Sequence, residues 1–289
     1  MTEHQLPASG SPWRRRGRTF GFAANTTVAW LFALVFSFPL IWTVFTALKP
    51  ANEVFGAQIS FIGSQVLWSN FADAWTEVDF GRLLMNSLIV ATISTVLTLV
   101  VATLTAFAFA RLRFPGRSAI FLLFVITLTL PSEVAVVPLF LGFDQAGLAD
   151  TWVALILPGL FGAFGAFLLR QFMLQIPAEL EEAARLDGAS TWRILISVIV
   201  PLVRPALSVL AIFAFLGSWN SFLWPLIILN SAEKWTIPIG IAGFTTQTGT
   251  QWQLLMAACV MTIAPVVIVV AFAQRQLVAA IGAGAFGGR

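Results

Sequence analysis

Read between its charged residues, the chain falls into six long apolar stretches, at 26–48, 83–110, 118–142, 151–169, 205–229 and 254–273. A helix needs about 20 apolar residues to cross the hydrocarbon core of a bilayer, and each stretch approaches or exceeds that length. The pattern predicts an all-α, polytopic bundle of six transmembrane helices, with Glu133 as the one ionisable residue well inside a span. Residues 1–25 and 274–289 are then terminal segments flanking one membrane domain over 26–273. The longest outer connection, 49–82, carries Trp68, Trp75 and four acidic residues, which suit packing at the interface.

An even number of spans puts both ends on the same side, and the basic residues choose that side. Arg14, Arg15, Arg16, Arg18, Arg111, Arg113, Arg117, Arg170, Arg185, Arg193, Arg204, Arg275 and Arg289 share it, against Lys49, Arg82 and Lys234 opposite. Cytoplasmic loops carry the excess of Lys and Arg, so both termini are expected in the cytoplasm. The N-terminal arginines precede an apolar run longer than the roughly 7–15 residues of a signal-peptide core, which reads as an uncleaved first span.

Composition agrees with a lipid setting. Hydrophobic residues make up 58% of the chain and charged ones 10%, against about 25% charged in a soluble domain. The 27 Phe and 11 Trp fit, since indole rings favour the membrane interface. A single Cys, Cys259, and a single His, His4, leave no disulfide framework and little metal or general-base chemistry. The net charge of +3 comes from cations that punctuate apolar runs, which sets topology rather than binding nucleic acid.

The cytoplasmic loop at 176–201 is the most informative segment. Pro177 suits a first helical position. Glu179, Glu181 and Glu182 favour the positive end of that helix, and Glu181 stands four residues before Arg185 as a supporting pair. Gly188 supplies the left-handed residue that ends the helix, Ser190 caps a second one, and Pro201 interrupts it. Glu182-Ala183-Ala184, Gly188 after three further residues, and Val198-Ile199-Val200-Pro201 nine residues beyond resemble the EAA loop of ABC importer permeases. The usual ending is Ile-x-Leu-Pro; valine at both apolar positions keeps their character.

The resemblance implies a type I permease fold, with this loop as a coupling helix docking on a separate ATPase subunit. It implies that Glu182, Ala183, Ala184 and Gly188 lie at or near that contact, with Asp187 close by. Further matches at Asn86-Ser87, Pro131 to Pro138, Trp219 through Pro225, and Gln274 through Val278 with a Gly/Ala tail are similar to the maltose and glycerol-3-phosphate branch, specifically its second permease subunit. In such relatives two ATPase subunits, a sister permease and an extracytoplasmic solute-binding protein complete the complex. ATP and magnesium would be bound by the partner ATPase, with no cofactor in this chain.

Candidates for the substrate pathway are Asn86, Glu133, Trp219, Asn220, Phe222 and Trp224. Glu133 is either a polar group on the path or a partner in a helix–helix hydrogen bond. Trp219, Asn220, Phe222 and Trp224 mix apolar rings with an amide, as sugars demand, while Trp224-Pro225 equally suits an interfacial belt. Asn86 and Ser87 serve as well to cap or join helices. The glycines and Thr/Gln run of 230–253 predict a flexible polar outer loop.

No Gly-x-x-x-x-Gly-Lys-Ser/Thr loop is present, so ATP hydrolysis falls to another chain. Two alternatives stand beside sugar import: a phosphorylated polyol such as glycerol-3-phosphate as cargo, or an ion-coupled secondary transporter. The absence of cations inside the spans leans toward neutral sugars.

Overall fold

The computed structural model describes residues 12–56, 60–247 and 249–286, and the side chains of 12–25 and 272–286 lie outside that description. His4, the side chains of the N-terminal arginines and those of the C-terminal motif from Gln274 therefore fall outside it. The first helix, α1 (Pro12–Ala47), begins before the expected span, and the last continues to Phe286.

Two kinds of span emerge. Helix α1 is continuous, and after the short helix α2 (Ser69–Glu77) so is α3 (Phe80–Arg111). Residues in α3 rise about 1.5 Å each, so its 32 residues outrun a hydrocarbon core about 30 Å thick. The third stretch is broken. Helix α4 (Arg117–Ile126) and helix α5 (Val136–Gln145) belong to two arms bent by 101° at residues 130–131. Leu130 is extended because the residue before a proline is pushed out of the helical region, and Pro131 has no N–H to continue the ladder.

The fourth stretch divides at the extended Gly162 between α6 (Trp152–Ile156), which runs into a tight turn at Leu157–Phe161, and α7 (Ala163–Leu174), with a 41° bend. Helices α8 (Glu179–Leu186) and α9 (Thr191–Ile194) follow. A π-helical turn, Leu195–Ile199, and α10 (Val200–Leu202) then meet α11 (Arg204–Trp219) at an 80° bend. The stretch at 205–229 is not one helix either. It stops at Trp219 and restarts as α12 (Leu223–Ile228), because Pro225 cannot donate to the carbonyl four residues back and crowds it.

The segment expected as a flexible outer loop is ordered. It holds a turn at Ala232–Lys234, α13 (Ile237–Ala242), and a hairpin of β1 (Thr245–Thr246) paired with β2 (Gly249–Thr250), before α14 (Trp252–Phe286). Ile237, Ile239 and Phe244 are buried. Gly240 explains how α13 lies so close to α3: a Cβ there would sit 2.0 Å from Leu83 Cδ1. Glycine is thus needed for close approach rather than for flexibility. Asn86 Nδ2 donates to the carbonyls of Glu233 at 2.8 Å and Trp235 at 2.9 Å, and Ser87 Oγ accepts from the Ile237 amide at 2.8 Å.

A second latch fixes the same region. Asp150 Oδ1 accepts from the amides of Asn230 at 2.9 Å and Ser231 at 3.1 Å, while Oδ2 takes the Ser231 hydroxyl and, at 2.8 Å, the Lys234 ammonium. Lys234 first, then the Ser231 hydroxyl and amide, hold the Asp150 carboxyl well below the usual carboxylate range. Its contribution is present above the unfolded carboxyl pKa of about 3.9 and is lost as pH falls through the depressed folded value. Asp150→Asn, which keeps the left-handed backbone at φ 56° accessible, should cost about 1–2 kcal/mol. Unfolding scans should show that loss unchanged from pH 5 to 8, with wild type and variant converging only in strong acid.

The core runs through the bundle in three patches. One lies where α3, α11 and α14 meet beneath α13, another where α3 and α7 pack near α9 and the π-helical turn, and a third around α6 and α12. By contrast α1 packs on α14 and is exposed along most of residues 26–47, with Trp30, Leu34 and Phe36 facing out.

Candidate coupling surface and translocation cavity

Helix α8 forms where three glutamates meet a helix N-terminus, and it ends as local chemistry predicts. Gly188 is left-handed at φ 79°, the Gly188 amide bonds the Arg185 carbonyl at 3.0 Å, and the Ala189 amide reaches back to Ala184 at 2.9 Å. Ser190 Oγ caps α9 by accepting from the Arg193 amide at 3.4 Å. Glu182, Ala183, Asp187 and Gly188 are exposed on this turn, and Ala184 is half-buried. Two apolar side chains that sequence reasoning did not single out join them: Leu186, 89% exposed, and Trp192, 64% exposed.

Glu181 departs from the expected pairing with Arg185. It is buried, and its Oε1 lies 2.6 Å from Arg111 Nε at the end of α3. Arg111 Nη2 also donates to the carbonyls of Met173 at 2.6 Å and Ile176 at 2.7 Å, at and just beyond the end of α7. One guanidinium therefore fastens α3, α7 and α8 together. Arg170 reinforces the junction, with its Nε donating to the Phe109 carbonyl at 3.1 Å and its guanidinium over the Phe121 ring at 4.1 Å. The basic residue ending α3 was visible in the sequence, but its partner 70 positions away was not.

A cavity of about 660 Å³ opens deeper in the bundle. Its walls coincide with the breaks in the spans: Ser132 and Glu133 beside the first, Pro158 and Gly159 in the tight turn of the fourth stretch, Ser221 and Phe222 between α11 and α12. Irregular backbone is tolerated at membrane depth where it lines a cavity, as it does here at 132–133, 158–159 and 221–222. Continuous α3 adds Ser94 and Thr98, and α11 adds Phe213 and Ser218.

Of the pathway candidates, Glu133, Phe222 and Trp224 line this cavity. The Trp224 ring is fixed by its Nε1, which donates to the Ala154 carbonyl at 3.1 Å. Asn86, Trp219 and Asn220 are not in the lining. The Asn86 amide is spent on the carbonyls of Glu233 and Trp235, and Trp219, 2% exposed, stacks on Phe215 with ring centres 5.6 Å apart inside the core. Thr236, which sequence reasoning passed over, does line the cavity.

A family model described as a binding-protein-dependent transport system inner membrane component matches residues 98–282. The chain is 35% identical over 269 residues to the arabinooligosaccharides transport system permease protein of Halalkalibacterium halodurans, covering 92% of this chain and 94% of that one. It is 32% identical to the diacetylchitobiose uptake system permease protein of Streptomyces coelicolor, over 89% and 86% of the two chains. Identity to the sn-glycerol-3-phosphate transport system permease protein of Yersinia pestis is 36%, over 85% and 90%. A chain of a bacterial ABC transporter involved in the import of the acidic polysaccharide alginate shares the fold, with a TM-score of 0.77 at 24% identity over 94% of this chain and 100% of that one.

Proposed function

The chain belongs to the family of binding-protein-dependent transport system inner membrane components, and from that premise we propose that it is the permease subunit of an ATP-driven carbohydrate importer in a prokaryotic cytoplasmic membrane. One observation carries the reading: a single bundle joins an exposed helical turn at one end to a cavity walled by the broken spans. Glu182, Ala183, Ala184, Asp187 and Gly188, with Leu186 and Trp192, form the surface that takes one of two ATPase subunits. ATP and magnesium bind to those partners. A second permease subunit completes the pathway, and a solute-binding protein delivers cargo from the side opposite the termini. The thirteen basic residues on the loop side against three opposite support both ends being cytoplasmic.

Among the relatives, two are named for neutral oligosaccharides and one for a phosphorylated polyol. The cavity favours the first kind, since Phe222 and Trp224 offer apolar faces for sugar C–H surfaces among hydroxyl groups. Family membership likewise supports a binding-protein-dependent system over an ion-coupled carrier.

Purification of the intact complex in mild detergent tests the proposal. An ATPase subunit should accompany the chain, and Leu186→Asp, at a side chain that is 89% exposed, should weaken that association by at least about tenfold. Vesicles holding the complex and ATP should take up a labelled oligosaccharide when the solute-binding protein is supplied. Uptake driven by an ion gradient with no ATPase present overturns the reading.

A further inference from the structure

We propose that the cavity recognises sugars that carry neither carboxylate nor phosphate, and that Glu133 is the residue that turns anionic sugars away; this rests on the carbohydrate-importer reading above. The polar groups of the lining are hydroxyls, among them Ser94, Thr98, Ser218 and Ser221, together with the Glu133 carboxylate. No Lys, Arg or His is among the lining residues, and Lys234, close in sequence to Thr236, is held by Asp150. A carboxylate accepts hydrogen bonds and cannot donate them, so it suits the O–H and N–H groups of a neutral or amino sugar and repels a phosphate or uronate. Apolar walls strengthen that repulsion by lowering the local dielectric.

The state of Glu133 points to a hydrogen-bonding occupant. Glu133 is exposed to the cavity and its contact is with the neighbouring Ser132 hydroxyl, 3.2 Å from Oε1, so its acceptor capacity is largely uncommitted. Thr236 is also in the lining, but it is 5% exposed and its Oγ1, without a hydrogen-bond partner among the described residues, is turned away from the open volume. Thr236 occupies the N-cap position of α13, yet its hydroxyl makes no capping bond. A sugar hydroxyl can donate, and so can satisfy the Glu133 carboxylate. The volume of about 660 Å³ lies inside the range of about 300–1,000 Å³ typical of small-ligand sites.

The test uses the intact complex in detergent without its solute-binding protein, whose own selectivity would mask that of the membrane subunits. Equilibrium dialysis with arabinobiose, chitobiose and maltose is compared with dialysis of digalacturonate, an anionic counterpart of similar size. At least one neutral probe should be retained about tenfold more strongly than digalacturonate. Glu133→Gln should narrow that ratio by about tenfold, and Glu133→Lys should invert it, because the charge facing the cavity changes sign and its acceptors become donors. Both variants alter an exposed side chain, and co-purification of the ATPase subunit reports that they have folded. Equal retention of neutral and anionic probes by wild type, or an unchanged ratio in Glu133→Gln, overturns the proposal and leaves carbohydrate import standing. Failure of every probe to bind overturns the carbohydrate reading and the proposal with it.

Discussion

Arg111→Ala should destabilise the protein by about 3–5 kcal/mol, the cost of leaving a buried charge without its partner. The substitution strands the Glu181 carboxylate, buried against α3, and frees the carbonyls of Met173 and Ile176 at the end of α7. Arg111→Lys should recover part of the loss, because an ammonium reaches one acceptor but cannot fork between a carboxylate and two carbonyls as a guanidinium does. Glu181→Gln should cost less than Arg111→Ala, since both carbonyls keep their donor. Combining Arg111→Met with Glu181→Leu should restore much of the stability, as buried ion pairs often exchange with apolar groups at little net cost. Thermal unfolding of the detergent-solubilised chain checks the series. A loss below about 1 kcal/mol for Arg111→Ala would place the pair among weak, solvent-screened bridges and sink the prediction.

The pair also marks where sequence reading stops. Helix α8, its left-handed Gly188 and the Ser190 cap are local, so each was legible from residues within four positions. Helical spacing paired Glu181 with Arg185. Burial decided otherwise, and burial depends on α3 folding back beside α7. The same limit applies to Asn86 and to Gly240: the amide gave no sign that it bonds the carbonyls of Glu233 and Trp235, nor the glycine in a polar loop that it packs on Leu83.

Hydropathy predicted the apolar stretches but not their interruptions, although each interruption has a cause written beside it. Pro131, Gly162 and Pro225 all lie within stretches that pass a length-and-polarity criterion, which counts apolar residues and ignores backbone donors. Those three residues determine where the cavity can form, because a broken helix leaves carbonyls that need water, a ligand or another chain. Glu133 sits two residues after Pro131, and Phe222 and Trp224 just before Pro225. Aromatic and acidic residues next to a mid-span proline were therefore a better guide to the lining than aromatic content alone, which also admitted Trp219.

Trp219 supplies the second large effect, and it separates core from pathway. Trp219→Ala should cost about 3–5 kcal/mol, since it empties a fully packed site beneath α13. The ring is 2% exposed, stacks on Phe215, and packs in the patch that includes Phe80, Phe244 and Ala257. Its Nε1 has no hydrogen-bond partner among the described residues. Trp219→Phe thus gives up volume and no hydrogen bond, and should cost only about 1–2 kcal/mol. Phe222→Ala is the control: the ring is 42% exposed in the cavity wall, so stability should move little while sugar retention falls. The two variants should separate cleanly when unfolding temperature is plotted against retention. If Trp219→Phe shifts the ranking of sugars while leaving the unfolding temperature where it was, the indole touches cargo and its assignment to the core is wrong.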